Sequence, residues 1–211
     1  MIIHDIKCVF VHIPKTGGQS VEKTLCPKMK APTETNYDIF TGWNDVNKIW
    51  MQHATMQQIN KLYKHDVTNY FKFAFVRNPY ARAVSDYFWM QSDIKKNDSF
   101  LNYLQETGEF KRRLTIRRNN KWRGDHVIPQ FDFLFDKSEN KLVDFIGRLE
   151  NFQNDFDKVC DYLKISRKKL SRQLVAKKRK HYTEYYDDET REFVAKKYAK
   201  DIEYFGYKFG E

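Results

Sequence analysis

The sequence predicts an α/β fold with a central, mostly parallel sheet and helices on both faces. Two strand–turn–helix units indicate it: apolar residues 9–11 precede a glycine turn, and a second apolar run, residues 71–76, precedes a helix. Parallel strands need long crossover connections, and the helical stretches between the two units supply them. At 211 residues the chain fits one domain, residues 1–211, that buries roughly 70% of its unfolded surface.

The first unit carries the most informative turn, His-Ile-Pro-Lys-Thr-Gly-Gly-Gln-Ser at residues 12–20. Gly17 and Gly18 let the backbone bend close to a ligand, and the helix expected at 20–25 points unpaired N–H groups and its positive dipole end at it. Lys15 adds a full positive charge. The turn predicts a loop that binds phosphate or phosphosulfate. The alternative is an ordinary glycine turn with a solvated lysine.

The usual nucleotide-triphosphate loop, Gly-x-x-x-x-Gly-Lys-Ser/Thr, is absent from the sequence. None of the eight glycines is followed by lysine.

The second unit places an arginine at the end of its strand. Arg77 follows residues 71–76, Asn78 is a good helix N-cap, and Pro79 suits the first helical position. Ser85 lies eight residues after Arg77, about two helical turns into the helix. The planar guanidinium fork binds phosphate with two hydrogen bonds. The alternative is that Arg77 pairs with a carboxylate and Ser85 is solvated.

These two motifs, together with residues 143–152 and the C-terminal helix, resemble sulfotransferases that use 3′-phosphoadenosine-5′-phosphosulfate (PAPS). More narrowly, the chain is similar to the carbohydrate group that includes the heparan 2-O and chondroitin/dermatan enzymes and their bacterial relatives. The resemblance runs from about residue 10 to 209 and implies a P-loop-like domain. It also implies that Lys15 stabilises the leaving group and that Arg77 and Ser85 hold the 3′-phosphate. The backbone of five residues would hold the 5′-phosphosulfate: Thr16, Gly17, Gly18, Gln19 and Ser20.

The acceptor hydroxyl needs a base, and His53 matches the position of the family's catalytic histidine. A histidine that titrates near neutral pH suits proton transfer. The alternative is a histidine that only packs or caps at a helix start. His126 and Gln130, in Asp-His-Val-Ile-Pro-Gln, resemble a segment near the acceptor and are substrate-side candidates. His12, beside the loop, is expected to be structural.

Neither a metal site nor a disulfide framework is expected. Cys8, Cys26 and Cys160 are odd in number and far apart, and no Cys-x-x-Cys or His-Glu-x-x-His pattern occurs. We therefore expect PAPS as donor, adenosine 3′,5′-bisphosphate (PAP) as product, and no metal.

The net charge of +10 is concentrated in two segments without acids, residues 111–123 and 164–181, with seven and nine Lys or Arg. Such clusters steer anions, so they suit an anionic donor and an acidic acceptor; the alternative is two solvated loops. In related enzymes a basic loop closes over the cofactor near the second segment, and here the candidates are Lys177, Lys178, Arg179 and Lys180.

The sequence thus predicts transfer of a sulfuryl group to a hydroxyl acceptor, a carbohydrate being favoured. The absence of a ~20-residue apolar run and of a signal-peptide pattern predicts a cytoplasmic enzyme without a membrane span, or an excised catalytic domain. One rival is a nucleotide phosphotransferase or kinase with a variant phosphate loop, which would need a magnesium-binding carboxylate at the end of an apolar strand. Asp132 and Asp136 flank an apolar strand but lack the shape of that motif. The other is a non-catalytic binder of polyanions or nucleic acid, although no nucleic-acid module is recognisable and no such partner is expected.

Overall fold

The predicted α/β class is confirmed by a computed structural model, which describes residues 1–27, 35–170 and 180–211. Its main sheet has four strands in the order β1–β2–β5–β6, and β3 and β4 form a separate hairpin. The strands are β1 (Ile2–Ile3), β2 (Cys8–Val11), β3 (Trp43–Asn44), β4 (Ile49–Trp50), β5 (Phe71–Val76) and β6 (Phe145–Arg148).

The helices connect and cover these strands. The α-helices are α1 (Gly18–Leu25), α2 (Met56–Leu62), α3 (Pro79–Ile94), α4 (Phe100–Leu104), α5 (Lys111–Thr115), α6 (Gln130–Leu134), α7 (Phe152–Tyr162), α8 (Asp188–Lys197) and α9 (Ala199–Phe205). Short 3₁₀ turns cover Met51–His53, Gly108–Phe110, Gly124–Val127, Leu149–Asn151 and Tyr182–Tyr185. Within the described ranges, none of these helices has both the length and the apolar character that a membrane crossing requires.

The sheet is mostly parallel, as predicted. β2 pairs with β5 in parallel, with Val11 opposite Ala74, and β5 pairs with β6 in parallel, with Val76 opposite Arg148. Among the described strands of this sheet, β1 alone, at the edge, runs antiparallel to its neighbour. The carboxyl ends of β2, β5 and β6 therefore meet at one edge of the sheet, where ligands of open α/β sheets bind.

Alternate residues of β2 and β5 build a separate core on each face of the sheet. Small and β-branched side chains pack against α2, α6 and α9: Val9, Val11, Ala74 and Val76. Sulfur and aromatic side chains pack against α1 and α7: Cys8, Phe10, Phe73 and Phe75. A third cluster joins α3, α4 and α8 beside the sheet. The helices thus cover both faces, which confirms the predicted layering.

Two local predictions were wrong. The first helix begins at Gly18 and not at residue 20. The segment beside Asp132 forms α6 and not a strand, because its aromatic residues pack at helical spacing: Phe131 stacks on Phe135 with ring centroids 4.3 Å apart. Asp132 and Asp136 therefore do not flank a strand of the main sheet, and this segment lacks the strand-end carboxylate that a phosphotransferase would need.

A buried carboxylate on α9 connects the C-terminal helix to the strand ends. Asp201 is completely buried and accepts hydrogen bonds from the backbone N–H groups of Gln130 (2.9 Å) and Phe131 (2.7 Å) and from the Gln130 side chain (3.2 Å). The Gln130 amide in turn pairs with both the N–H and the carbonyl of Arg77, each at 2.8 Å. Asp201 and Gln130 together therefore position the peptide of Arg77.

We predict that Asp201→Ala lowers the free energy of unfolding by about 3 kcal/mol or more, because it leaves three buried N–H donors without an acceptor. Urea denaturation measures the change. Asp188→Ala is the control, since the Asp188 side chain is 96% exposed and its loss should change stability by less than about 0.5 kcal/mol. Equal effects of the two substitutions would contradict the role of Asp201.

Candidate active site

The loop between β2 and α1 has the geometry of an anion-binding turn. Lys15 and Gly17 adopt left-handed backbone conformations, with φ of 69° and 87°, so the chain reverses sharply into the helix. Gly17, the N-cap of α1, supplies no side-chain cap, and the first turn carries no acidic residue. The hydroxyl of Thr16 donates to the carbonyl of Ile13 at 2.9 Å and closes the loop on itself. An anion at this turn would therefore meet backbone N–H groups and the positive end of the helix.

Gly18 is required for steric reasons as well. The ring of His12 lies so close that a Cβ at position 18 would be 2.0 Å from His12 Cδ2. His12 Nδ1 is 2.8 Å from a carboxylate oxygen of Glu22, one turn further along α1. His12 is buried, which agrees with its expected structural role: it holds the helix against the loop.

The end of β5 lies directly beside this loop. Arg77 donates from Nη1 to the carbonyl of Lys15 at 3.4 Å. Asn78 caps α3 as predicted, because its side chain accepts from the N–H of Tyr80 at 3.0 Å. The N–H of Asn78 donates to Glu150 at 2.7 Å. The structure therefore brings the glycine loop and Arg77 together. Ser85 lies further along α3 and is partly buried.

Three histidines form a row across the site, defined here as His12, His53 and His126. The His53 ring centroid lies 4.8 Å from that of His12 and 5.4 Å from that of His126, edge-on in both cases. Each imidazole contacts a carboxylate through Nδ1: His12 with Glu22 at 2.8 Å, His53 with Asp125 at 2.5 Å, and His126 with Asp86 at 2.6 Å. His53 ends the turn Met51–His53, just before the capping box of Thr55 and Gln58 that starts α2.

Burial keeps His53 uncharged. Desolvation lowers the pKa of His53 to about 4, and His12 and His126 act in the same direction, although Asp125 opposes them. Burial alone would raise the pKa of Asp125, but the hydrogen bond from His53 and the nearby basic groups hold that pKa below its usual value. At neutral pH the pair is therefore a neutral imidazole and a carboxylate, and His53 does not titrate near neutral pH as expected from the sequence. Since the carboxylate can only accept, Nδ1 carries the proton and Nε2 carries the lone pair.

Trp89, on α3, connects the histidine row to the loop. Its ring stacks on His126, with centroids 4.4 Å apart and planes 15° from parallel. The Lys15 ammonium lies 5.4 Å from the Trp89 ring, within cation–π distance. A continuous series of contacts therefore runs from Lys15 through Trp89 and His126 to His53.

The first basic segment, residues 111–123, is mostly exposed, and its last residue packs beside Trp89. The Arg123 guanidinium lies 5.2 Å from the Trp50 ring and 5.8 Å from the Trp89 ring. Arg113 and Arg123 both pair with Asp93, at 3.8 and 3.6 Å. This end of the segment is therefore anchored to α3. Of the second segment, Lys177, Lys178 and Arg179 lie outside the described residues, and Lys180 is exposed, 3.8 Å from Glu184.

Several residues of the site were not predicted from the sequence. Asp125 and Asp86 are direct neighbours of predicted residues, His126 and Ser85, and that adjacency was the available signal. Trp89 lies one turn after Ser85 on α3. Gln130, predicted to face the substrate, is completely buried and, as described above, its side chain binds the Arg77 peptide and Asp201.

One group of side chains could hold a metal ion. His53, Asp125 and His126 each offer a ligand atom, and these atoms lie within 4.8 Å of one another. Asp125 Oδ2 and His53 Nδ1 are already joined by their 2.5 Å hydrogen bond. An ion that used those two atoms would have to replace this bond.

The comparison with protein families identifies the class of protein that this fold and site represent. The model of the sulfotransferase family matches residues 1–208, nearly the whole chain of 211 residues. The chain therefore belongs to the sulfotransferase family, and the predicted family is confirmed. The general activity of this family is the transfer of sulfuryl groups. No curated protein matches the chain significantly.

We predict that the free energy of unfolding falls as the pH drops from about 7 to about 4. In this range the unfolded chain binds a proton at His53 (ordinary pKa ~6.5) whereas the folded protein, with its lowered pKa of about 4, does not. The contribution of His53 is at most about 3 kcal/mol.

The comparison of wild type with His53→Gln isolates this contribution in urea denaturation at several pH values. Such a control is needed because burial also lowers the pKa of the Met1 amino group, to about 6. This second group also makes the free energy of unfolding fall as the pH drops, but at higher pH than His53 does. Identical pH dependence of the two proteins would contradict the assignment.

Proposed function

We propose that this protein transfers the sulfuryl group of PAPS to a hydroxyl acceptor, with a carbohydrate as the favoured class. The proposal rests chiefly on the convergence of the glycine loop, Arg77 and His53 at one edge of the sheet. The Arg77 guanidinium reaches the Lys15 carbonyl, and Lys15 is connected to His53 through Trp89 and His126. Membership of the sulfotransferase family supports the reaction type.

On the donor side, the backbone around Gly17 and Gly18 would hold the 5′-phosphosulfate. The uncapped start of α1 offers N–H groups there, and Lys15 adds a positive charge at the loop. Arg77 and Ser85, along β5 and α3, would bind the 3′-phosphate. A guanidinium that is anchored at the strand end is suited to this phosphate because its fork is planar and always charged.

In the transfer step, the acceptor oxygen attacks sulfur in line while the bond from sulfur to the phosphate oxygen breaks. Lys15 would stabilise the negative charge that develops on the departing phosphate. His53, neutral at physiological pH because of its lowered pKa, would take the proton of the acceptor hydroxyl.

The acceptor would lie beside Trp50 and Trp89. Both indoles are partly exposed, but the faces of the Trp89 ring are already in contact with His126, Lys15 and Arg123, so the charge of this surface and not ring stacking would attract the acceptor. Arg123 lies against both rings, and residues 111–123 carry seven basic side chains. A carbohydrate with acidic groups would be attracted to this surface. A cytoplasmic location and the absence of nucleic-acid partners stay predictions from the sequence.

We predict that PAP binds more tightly than ADP or ATP and that magnesium does not change this preference. Isothermal titration calorimetry with each nucleotide, with and without magnesium, tests the donor assignment. A preference for ATP with magnesium would show that the protein is a phosphotransferase instead.

The substitution Arg77→Ala should remove most of the protein's preference for PAP over its 3′-dephospho analogue, because only PAP carries the phosphate that Arg77 would bind.

We predict that Lys15→Ala lowers kcat by ~10²–10³ while PAP still binds, because the charge acts mainly on the departing phosphate of the transition state. The readout is the rate of sulfuryl transfer from PAPS to a panel of oligosaccharides. Lys23→Ala is a charge-matched control, since Lys23 is exposed on the last turn of α1. Unchanged turnover in Lys15→Ala would refute the role of Lys15.

A further inference from the structure

Three imidazole–carboxylate pairs lie side by side at the site, but they are not equivalent. The His53 side chain is 15% exposed, against 8% for His12 and 5% for His126. His53 is also the middle member of the row and contacts both other rings. Of the three imidazoles, His53 is therefore the one that a substrate can reach most easily.

The three carboxylates also differ in what they bind. Asp86 is shared, since one oxygen contacts His126 and the other accepts from the hydroxyl of Tyr103 at 2.8 Å. Asp125 contacts His53 through Oδ2 at 2.5 Å. Its other oxygen, Oδ1, is buried and has no hydrogen-bond partner within the described part of the chain. Among the described residues, His53 is therefore the hydrogen-bond partner of the Asp125 carboxylate, although His126 and Arg123 also feel its charge.

A buried carboxylate with an unsatisfied oxygen is costly for folding. Asp125 is 3% exposed and lies in the short turn Gly124–Val127, which packs between α3 and the His53 turn. Asp201 and Asp155 satisfy both oxygens with several donors each. Asp93 also has a buried oxygen without a hydrogen-bond partner among the residues that the structure describes, but it pairs with two guanidinium groups. Asp125 differs from these three acids because its hydrogen-bond partner is an imidazole of the site, and this difference favours a functional role for Asp125.

We propose that Asp125 is a positioning residue for sulfuryl transfer, which holds His53 with its proton on Nδ1 and its lone pair on Nε2. The proposal rests on the function proposed above. As the bond between the acceptor oxygen and sulfur forms, the hydroxyl proton passes to Nε2. The electron pair of the breaking sulfur–oxygen bond goes to the phosphate of PAP. Asp125 stabilises the resulting imidazolium without taking the proton itself.

The tautomer of His53 tests this inference without any substitution. In ¹⁵N-labelled wild-type protein at pH 7, the two ring nitrogens of each histidine give distinct long-range ¹H–¹⁵N correlations. We expect His53 to carry its proton on Nδ1. A proton on Nε2 would overturn the proposal, whether or not the protein binds PAP.

Asp125→Asn tests the consequence for catalysis. The amide keeps the size of the carboxylate but loses its charge and can donate to Nδ1, so part of His53 should shift to the Nε2–H tautomer. We expect kcat to fall by ~10²–10⁴, as for other histidine bases that lose their orienting acid. KM for the acceptor and the affinity for PAP should change by less than about threefold. Asp125→Glu should recover part of kcat.

Asp38→Asn is the control. It removes the carboxylate of another imidazole–carboxylate pair, with His4 at 3.3 Å, which takes no part in the proposed site, and it should change kcat by less than about threefold. A kcat for Asp125→Asn within threefold of wild type, or a loss that Asp38→Asn reproduces, would overturn the proposal. If the wild type neither binds PAP nor transfers sulfuryl groups, the proposed function fails, whereas the tautomer still shows whether Asp125 orients His53.

Discussion

The parallel hydrogen-bonded pairing of β2 with β5 determines where the glycine loop and Arg77 lie, and the rest of the candidate site is arranged around them. With Val11 opposite Ala74, the glycine loop and Arg77 leave the sheet at the same edge, which lets the guanidinium reach the carbonyl of Lys15. The neighbouring pairing of β6 brings Glu150 to the same edge, where it accepts from Asn78. A slip of one residue would exchange the two faces of β5 and would place aromatic side chains where small ones now pack.

The site also shows how burial and charge act together. Each imidazole of the histidine row receives its carboxylate from a different part of the fold: Glu22 from α1, Asp125 from a 3₁₀ turn and Asp86 from α3. These pairs cross-link the elements that surround the site, so the groups that suit proton transfer also contribute to tertiary packing. The same low exposure that keeps His53 neutral makes an unpaired charge there expensive. Stability and chemistry are therefore difficult to alter independently at this edge.

The sequence was informative where a pattern is local. The turn after β2, the bounds of β5, the cap at Asn78 and the position of Arg77 all follow from short-range rules on glycine, proline and apolar spacing. The acid partners do not, because Asp125 is 72 residues from His53 and Asp86 is 40 residues from His126. Such pairs exist only once the chain has folded. Gln130 illustrates the same limit, since its sequence context gives no sign that it binds the peptide of Arg77.

The contact between His12 and Gly18 has a consequence for protein engineering. Because the imidazole occupies the space of a Cβ at position 18, the loop is not an independent cassette that can be moved to another scaffold. A graft that carried only the residues between β2 and α1 would lack the ring that supports the helix start and the acid at Glu22 that orients this ring. The smallest transferable unit is therefore the end of β2 together with the first two turns of α1.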